Sequence, residues 1–181
     1  APVTAIMGAV AKHVFLVTDA AQLEKTIRSA FDLARTGRPG PVVIDIPKDI
    51  QNWAGTFKGH GTLPLHGYRK RLRAITENKL SDDACERFYT MLSKSERPLI
   101  YAGGGVINAN ASKVMRQFAK EYGVPVTTTL MALGASDTNH PLALHMLGMH
   151  GVASANYAVE DCDFLIAIGA RFDDRVAGNP A

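Results

Sequence analysis

Two short segments constrain this chain most, because both are apolar on both faces: Pro98-Leu99-Ile100-Tyr101-Ala102 and Phe164-Leu165-Ile166-Ala167-Ile168-Gly169. A strand with one wet face alternates apolar and polar side chains. One that is apolar throughout needs cover on both sides, which helices packed on a parallel sheet provide. Helical periods separate these segments. Ser81 can cap a helix carrying Ala84, Cys85, Phe88 and Leu92 on one face. Asn110 or Ser112 opens another, with Val114, Met115, Phe118, Ala119 and Tyr122, which Gly123 ends. Val124 to Thr129 reads as a further strand, and residues 152–160 as a helix of small residues. The expected fold class is therefore α/β, a parallel sheet with helices on both faces.

Upstream, Thr18 or Asp19 can cap a helix whose apolar residues Leu23, Ile27, Ala30, Phe31 and Ala34 recur at helical spacing, with Gly37 placed to end it. Arg38-Pro39-Gly40-Pro41 then forms a rigid turn, and residues 42–46 a short buried strand closed by Pro47. That is one helix–strand unit and not a domain. Residues 48–80 hold no sustained period. They read as a linker lying over a surface, since Trp53, Phe57 and Tyr68 need apolar cover. Boundaries follow at 1–50, 51–80 and 81–181. The chain opens on Ala1-Pro2-Val3 without Met and stops just after its densest polar motif, so a truncated piece of something longer is expected.

Composition removes several function classes. The 181 residues are 46% apolar and 20% charged, as in an ordinary globular protein. Two cysteines, Cys85 and Cys162, make neither a disulfide framework nor a cysteine-rich zinc site, and a reducing, cytoplasmic setting fits them best. No apolar run approaches the roughly 20 residues of a membrane span. The net charge of +3 is too small to imply a nucleic-acid partner. Its basic excess sits in Arg69, Lys70, Arg71 and Arg73, with no aromatic stacking platform beside it.

In an open α/β sheet, ligands bind beyond the carboxyl ends of the strands. Gly103-Gly104-Gly105 is one such tip, and alone it reads equally as a tight turn or a binding loop. Thr129-Leu130-Met131 is a second, and alone it reads as a strand end with one satisfied hydroxyl. Gly148-Met149-His150-Gly151 leads into a helix whose free N–H groups suit a phosphate. Gly169-Ala170-Arg171-Phe172-Asp173-Asp174-Arg175 puts two guanidiniums and two carboxylates beyond another strand, suiting phosphate and sugar hydroxyls, with a surface salt-bridge cluster as the alternative. There is no G-x-x-x-x-G-K-[ST], no G-x-S-x-G and no H-E-x-x-H, so a nucleotide triphosphatase, a serine-elbow nucleophile and a metal site are not expected in this stretch.

The run from Gly37-Arg38-Pro39-Gly40-Pro41 to Asp45-Ile46-Pro47-Lys48 resembles the end of the pyrimidine-binding domain of thiamine-diphosphate enzymes. Leu144 to Gly151, Ala155-Asn156-Tyr157-Ala158-Val159 and Gly169 to Val176 sharpen the match. Together they resemble the large, catalytic subunits of the acetolactate synthase (acetohydroxyacid synthase) family. The resemblance implies that 1–50 ends the thiamine pyrimidine-binding domain, 51–80 links, and 81–181 forms most of a Rossmann-like central FAD-binding domain. It implies FAD contacts at Arg38, Gly103, Gly104, Gly105, Thr129, Leu130, Met131, Leu147, Gly148, Met149, His150, Gly169, Ala170, Arg171, Asp173, Arg175 and Val176. It implies a herbicide-type inhibitor site at Lys48, Met149, His150, Asp174 and Arg175.

The implied activity of the full enzyme is condensation of pyruvate with pyruvate or 2-oxobutyrate, with loss of CO2, in branched-chain amino-acid biosynthesis. The thiamine diphosphate and Mg2+ sites would lie outside this stretch, which alone should be inactive. Implied partners are a second catalytic subunit, in a homodimer or tetramer, and a small regulatory subunit. The compartment would be the cytoplasm in a bacterium, or a plastid or mitochondrion in a eukaryote. The alternative is a stand-alone nucleotide-binding α/β module used for regulation or assembly.

Overall fold

The computed structural model describes residues 1–63, 70, 80–172, 175 and 176. The chain divides into two compact units, Ala1–Lys79 and Leu80–Ala181.

In the first unit, helix α1 (Val3–Gly8) leads to strand β1 (His13–Leu16). A single 3-10 turn (Ala20–Gln22) opens helix α2 (Leu23–Arg35), and strand β2 (Val42–Asp45) and a one-turn helix α3 (Lys48–Gln51) follow. The strands pair in parallel, His13 opposite Val42 through Leu16 opposite Asp45. Asp19 starts the helical run, its Oδ1 accepting from the Ala21 N–H at 2.9 Å. The buried stripe of α2 is Thr26, Ser29, Ala30 and Leu33, not the expected apolar set: Phe31 is 66% exposed. Two hydroxyls tolerate burial because both are bonded. Thr26 Oγ1 donates to Gln22 O at 3.0 Å, and Ser29 Oγ accepts from the Leu63 N–H at 2.9 Å. Residues 59–63 lie along α2, with the Gly59 N–H on Glu24 and its carbonyl on Arg28. The β2 residues are each half-buried rather than fully covered. Trp53 and Phe57 stack on each other with ring centres 5.4 Å apart, yet stay about 40% exposed. Tyr68 and the arginines of the basic run lie outside the described residues.

The second unit runs α4 (Asp82–Lys94), β3 (Pro98–Ala102), α5 (Gly104–Asn108), α6 (Ser112–Tyr122) and β4 (Val126–Thr128). A 3-10 turn (Leu130–Ala132), β5 (Ala143–Met146), α7 (Ala153–Asp161) and β6 (Phe164–Ile168) complete it. Ser81 caps α4 through its Oγ, 3.2 Å from the Ala84 N–H, with Asp82 and Asp83 in the positive first turn and Lys94 in the last. All four strands are parallel in the order β5-β4-β3-β6. Alternation along β3 fills both faces. Ile100 and Ala102 pack with Leu92, Met115, Ala119 and Val126 under α4 and α6, while Tyr101 packs with Leu147 and Ala155 under α7. Among the described residues, five helices and strands fall outside the sequence expectations: α1, β1, α3, β5 and the short α5.

Candidate functional site

Register makes the strand tips a single row. Ala102 pairs with Thr128 on one side and Ile168 on the other, and Thr128 pairs with Met146. A bulge between Val126 and Thr127 brings β5 into that alignment, with His145 in the left-handed region (φ 63°) and its carbonyl accepting from Thr127 Oγ1 at 2.9 Å. The chain therefore leaves the sheet at Gly103, Thr129, Leu147 and Gly169 on one level, across a row about 14 Å wide at ordinary strand spacing. The order reverses between β3 and β6, since the path from β5 to β6 passes to the far side of β3. Ligand crevices in open parallel sheets form at such reversals.

The loops beyond this row interlock. The Gly103 N–H donates to Ile168 O at 2.9 Å, and the Gly105 N–H to Gly169 O at 3.0 Å. A Cβ on Gly103 would collide with the Gly169 carbonyl and the Ala170 Cα, and one on Gly169 would stand 2.7 Å from the Gly105 Cα. The glycines of these two tips thus serve contact between two backbones. On the other side of β3, Gly104 faces Met131, whose Cβ would lie 3.0 Å from a Cβ added there. Thr129 is anchored through its N–H to Ala102 O at 2.9 Å. Its hydroxyl is enclosed but has no hydrogen-bond partner among the described residues, which corrects the expectation of a satisfied strand end.

Beyond β5, Leu147 is buried in the core while Met149 (66% exposed) and His150 face outward. The Met149 N–H donates to Arg175 O at 3.0 Å, and Arg175 Nη1 lies 3.6 Å from Met149 Sδ. Val176 packs on the Tyr101–Leu147–Ala155 cluster, and the Phe172 ring meets Tyr101 edge-on at 5.4 Å. Helix α7 starts beside this turn with no side-chain cap and no acidic residue in its first turn, so its N-terminus keeps its positive end for an anion. Exposed Leu130, Met131, Met149 and Phe172 give the row an apolar surface that a folded chain ordinarily covers.

The structure thus assembles Gly103, Gly104, Gly105, Thr129, Leu130, Met131, Leu147, Gly148, Met149, His150, Gly169, Ala170, Arg171, Arg175 and Val176 along one edge of one sheet. Arg38 and Lys48 belong to the first unit. Arg38 follows α2 in a turn held by Lys12, whose Nζ donates to Leu33 O and Thr36 O at 2.5 Å and to Arg38 O at 2.9 Å. Lys48 opens α3. Asp173 and Asp174 lie outside the described residues. Residue-type reasoning assigned no task to Asn156, whose side chain brackets Gly148. The signal was its position: an amide in an otherwise small, apolar helix start, just after a glycine turn.

Two hollows, of about 250 and 340 Å3, lie away from this row. One, between α6 and residues 136–143, is bordered by Arg116 and His140, and the other, at the start of β3, by Gly123 and Cys162. Burial, then the neighbouring Asp163 carboxylate, pushes the Cys162 thiol up, so it stays protonated near neutrality, and Sγ donates to Val159 O. Among the described residues no group of three His, Cys, Asp or Glu is placed to hold a metal ion, and no helix is long and apolar enough to cross a membrane.

Residues 85–181 match the family described as thiamine pyrophosphate enzyme, central domain. The chain is 43% identical over 177 residues (98% of its length) to "Acetolactate synthase 2, chloroplastic" of Nicotiana tabacum, of which it covers 26%. It is 43% identical over 99% of its length to "Acetolactate synthase large subunit" of Corynebacterium glutamicum, covering 28% of that protein. Against "Acetolactate synthase isozyme 2 large subunit" of Escherichia coli it is 44% identical over 92% of its length and covers 29%. The chain spans about a quarter of the length of these relatives.

Proposed function

The chain belongs to the thiamine pyrophosphate enzyme family, and on that premise we propose that it is a section of an acetolactate synthase catalytic subunit whose central domain holds FAD. The whole enzyme would condense pyruvate with pyruvate or 2-oxobutyrate and release CO2. In this reading 1–50 completes the pyrimidine-binding domain, 51–80 links, and 81–181 supplies most of the FAD domain. A second catalytic subunit and a small regulatory subunit would complete the assembly, in the cytoplasm of a bacterium or in a plastid or mitochondrion.

One observation carries the reading: four strand tips brought level, with an apolar surface and an unpartnered hydroxyl among them. The residues suit FAD. Among the described residues Thr129 Oγ1 has no hydrogen-bond partner, α7 offers an uncapped N-terminus to a phosphate, and Leu130, Met131 and Met149 can cover a flat ring system. Arg171 and Arg175 stand at the same row, where guanidiniums can grip a diphosphate. Arg38 joins the flavin contacts on the resemblance. The resemblance alone assigns Lys48, Met149, His150, Asp174 and Arg175 to an inhibitor site. Bound FAD here would supply a structural element with no net electron transfer. The protein's work at this edge is to bind, orient and exclude water.

The test is flavin retention in the full-length protein. Arg171→Ala and Arg175→Ala should each lower the visible flavin absorbance that survives gel filtration. Full retention in both variants removes the arginines from the flavin site.

A further inference from the structure

Gly148 is held in a conformation that leaves its peptide groups without a strand partner. β5 ends at Met146, and Gly148 turns the chain with φ 98°, so close to the neighbouring loop that a Cβ would lie 2.8 Å from Arg175 O. Its C=O accepts from the Gly151 N–H at 2.9 Å, and both its N–H and its C=O also meet one side chain. Asn156 Oδ1 accepts from the Gly148 N–H at 2.8 Å, and Asn156 Nδ2 donates to Gly148 O at 3.2 Å. The amide pairs with that residue as a neighbouring strand would, with one donor and one acceptor.

Few side chains can replace it. Aspartate keeps the acceptor but sets a carboxylate against the carbonyl, glutamine is a methylene too long, and alanine leaves the half-buried Gly148 N–H unpaired and its carbonyl with the Gly151 N–H alone. Asn156 sits in the second turn of α7, anchored by its own N–H to Val152 O at 3.2 Å. The turn is thus fixed to the helix on one side, and to Arg175 through the Met149 N–H on the other.

We propose that Asn156 is a positioning residue: it fixes the Gly148–His150 turn in the geometry that receives the flavin, without touching the cofactor itself. This rests on the flavin reading above and adds a residue to it. Asn156 acts through Met149 and His150, the two outward side chains of the turn.

The experiment reconstitutes the full-length apoprotein with FAD and reads Kd from flavin fluorescence, alongside the melting temperature of each apoprotein. Asn156→Asp and Asn156→Ala should raise Kd about five- to tenfold, the scale of one coupled polar contact. In a Met149→Ala/His150→Ala background the same change should move Kd less than twofold. If Met149→Ala/His150→Ala alone leaves Kd unchanged, the flavin reading of this turn fails and takes the proposal with it. If that pair weakens binding but Asn156→Asp does not, or if the Asn156→Asp loss persists in full in the double-variant background, the proposal alone fails. Where Asn156→Ala does not fold, the nearly isosteric Asn156→Asp carries the cycle.

Discussion

Single positions at the strand tips tolerate change very unequally, and the contacts say which. Gly103 has no room for a methyl, since its Cβ would fall on the backbone of Gly169 and Ala170, and backbone cannot swing away as a long side chain can. Gly8, at the end of α1, has nothing within 4 Å of its Cβ position. Gly103→Ala should therefore destabilise the protein by about 1–3 kcal/mol. Gly8→Ala should be neutral or stabilising by up to about 1 kcal/mol through the unfolded chain. Urea titration of both variants checks the contrast, and equal midpoints would contradict it. Sequence spacing alone located Gly103, Gly105 and Gly169 at strand tips, yet it could not say whether they face a ligand or each other. Thr129 was equally ambiguous, because whether a hydroxyl is satisfied depends on residues far away in the chain.

Among the elements, β3, α4 and β6 were legible because each satisfies a local rule that tertiary context did not override. Pro98–Ala102 and Phe164–Ile168 are apolar on every position, and α4 carries its own cap. Strand β5 was not legible. It is four residues long, includes an exposed histidine in a left-handed conformation, and exists because β4 offers it an edge. Helix α2 misled in its face, because its buried stripe uses Thr26 and Ser29 with bonded hydroxyls in place of Ile27 and Phe31. One carboxylate joins two elements: Asp163, at the entry to β6, accepts from Ser95 Oγ, from the Glu96 N–H at 2.8 Å and from the Arg97 N–H at 3.0 Å. The Ser95 hydroxyl first, then the Glu96 amide, hold its carboxyl below the usual aspartate range. A depressed folded-state pKa gives stability that is fully present above the unfolded value of about 3.9 and is lost as pH falls below it. The melting temperature of the wild type should therefore fall more steeply than that of Asp163→Asn on acidification from about pH 5 to pH 3. Parallel melting curves for the two proteins would remove Asp163 from the acid response.

For the whole molecule, the division of labour follows from where the strands end. The sheet sends every tip to one side, and the amino-terminal side carries loops such as 95–97 that only brace it. The resemblance puts the groups that would hold thiamine diphosphate and Mg2+ outside these residues. Polypeptide 1–181, supplied with pyruvate, thiamine diphosphate, Mg2+ and FAD, should accordingly form no acetolactate above the protein-free background in a colorimetric acetoin assay. Measurable turnover would place the catalytic groups inside these residues and overturn the division proposed here.

The interlock of Gly103 and Gly105 with Gly169 and Ala170 also bears on how such a protein can evolve. Two loops more than sixty positions apart in sequence share one seam, so a side chain acquired in either is paid for by both. Adaptive variation is consequently channelled away from the seam and the row, to outward positions such as Val114 and Tyr157, where a random library would find its viable members.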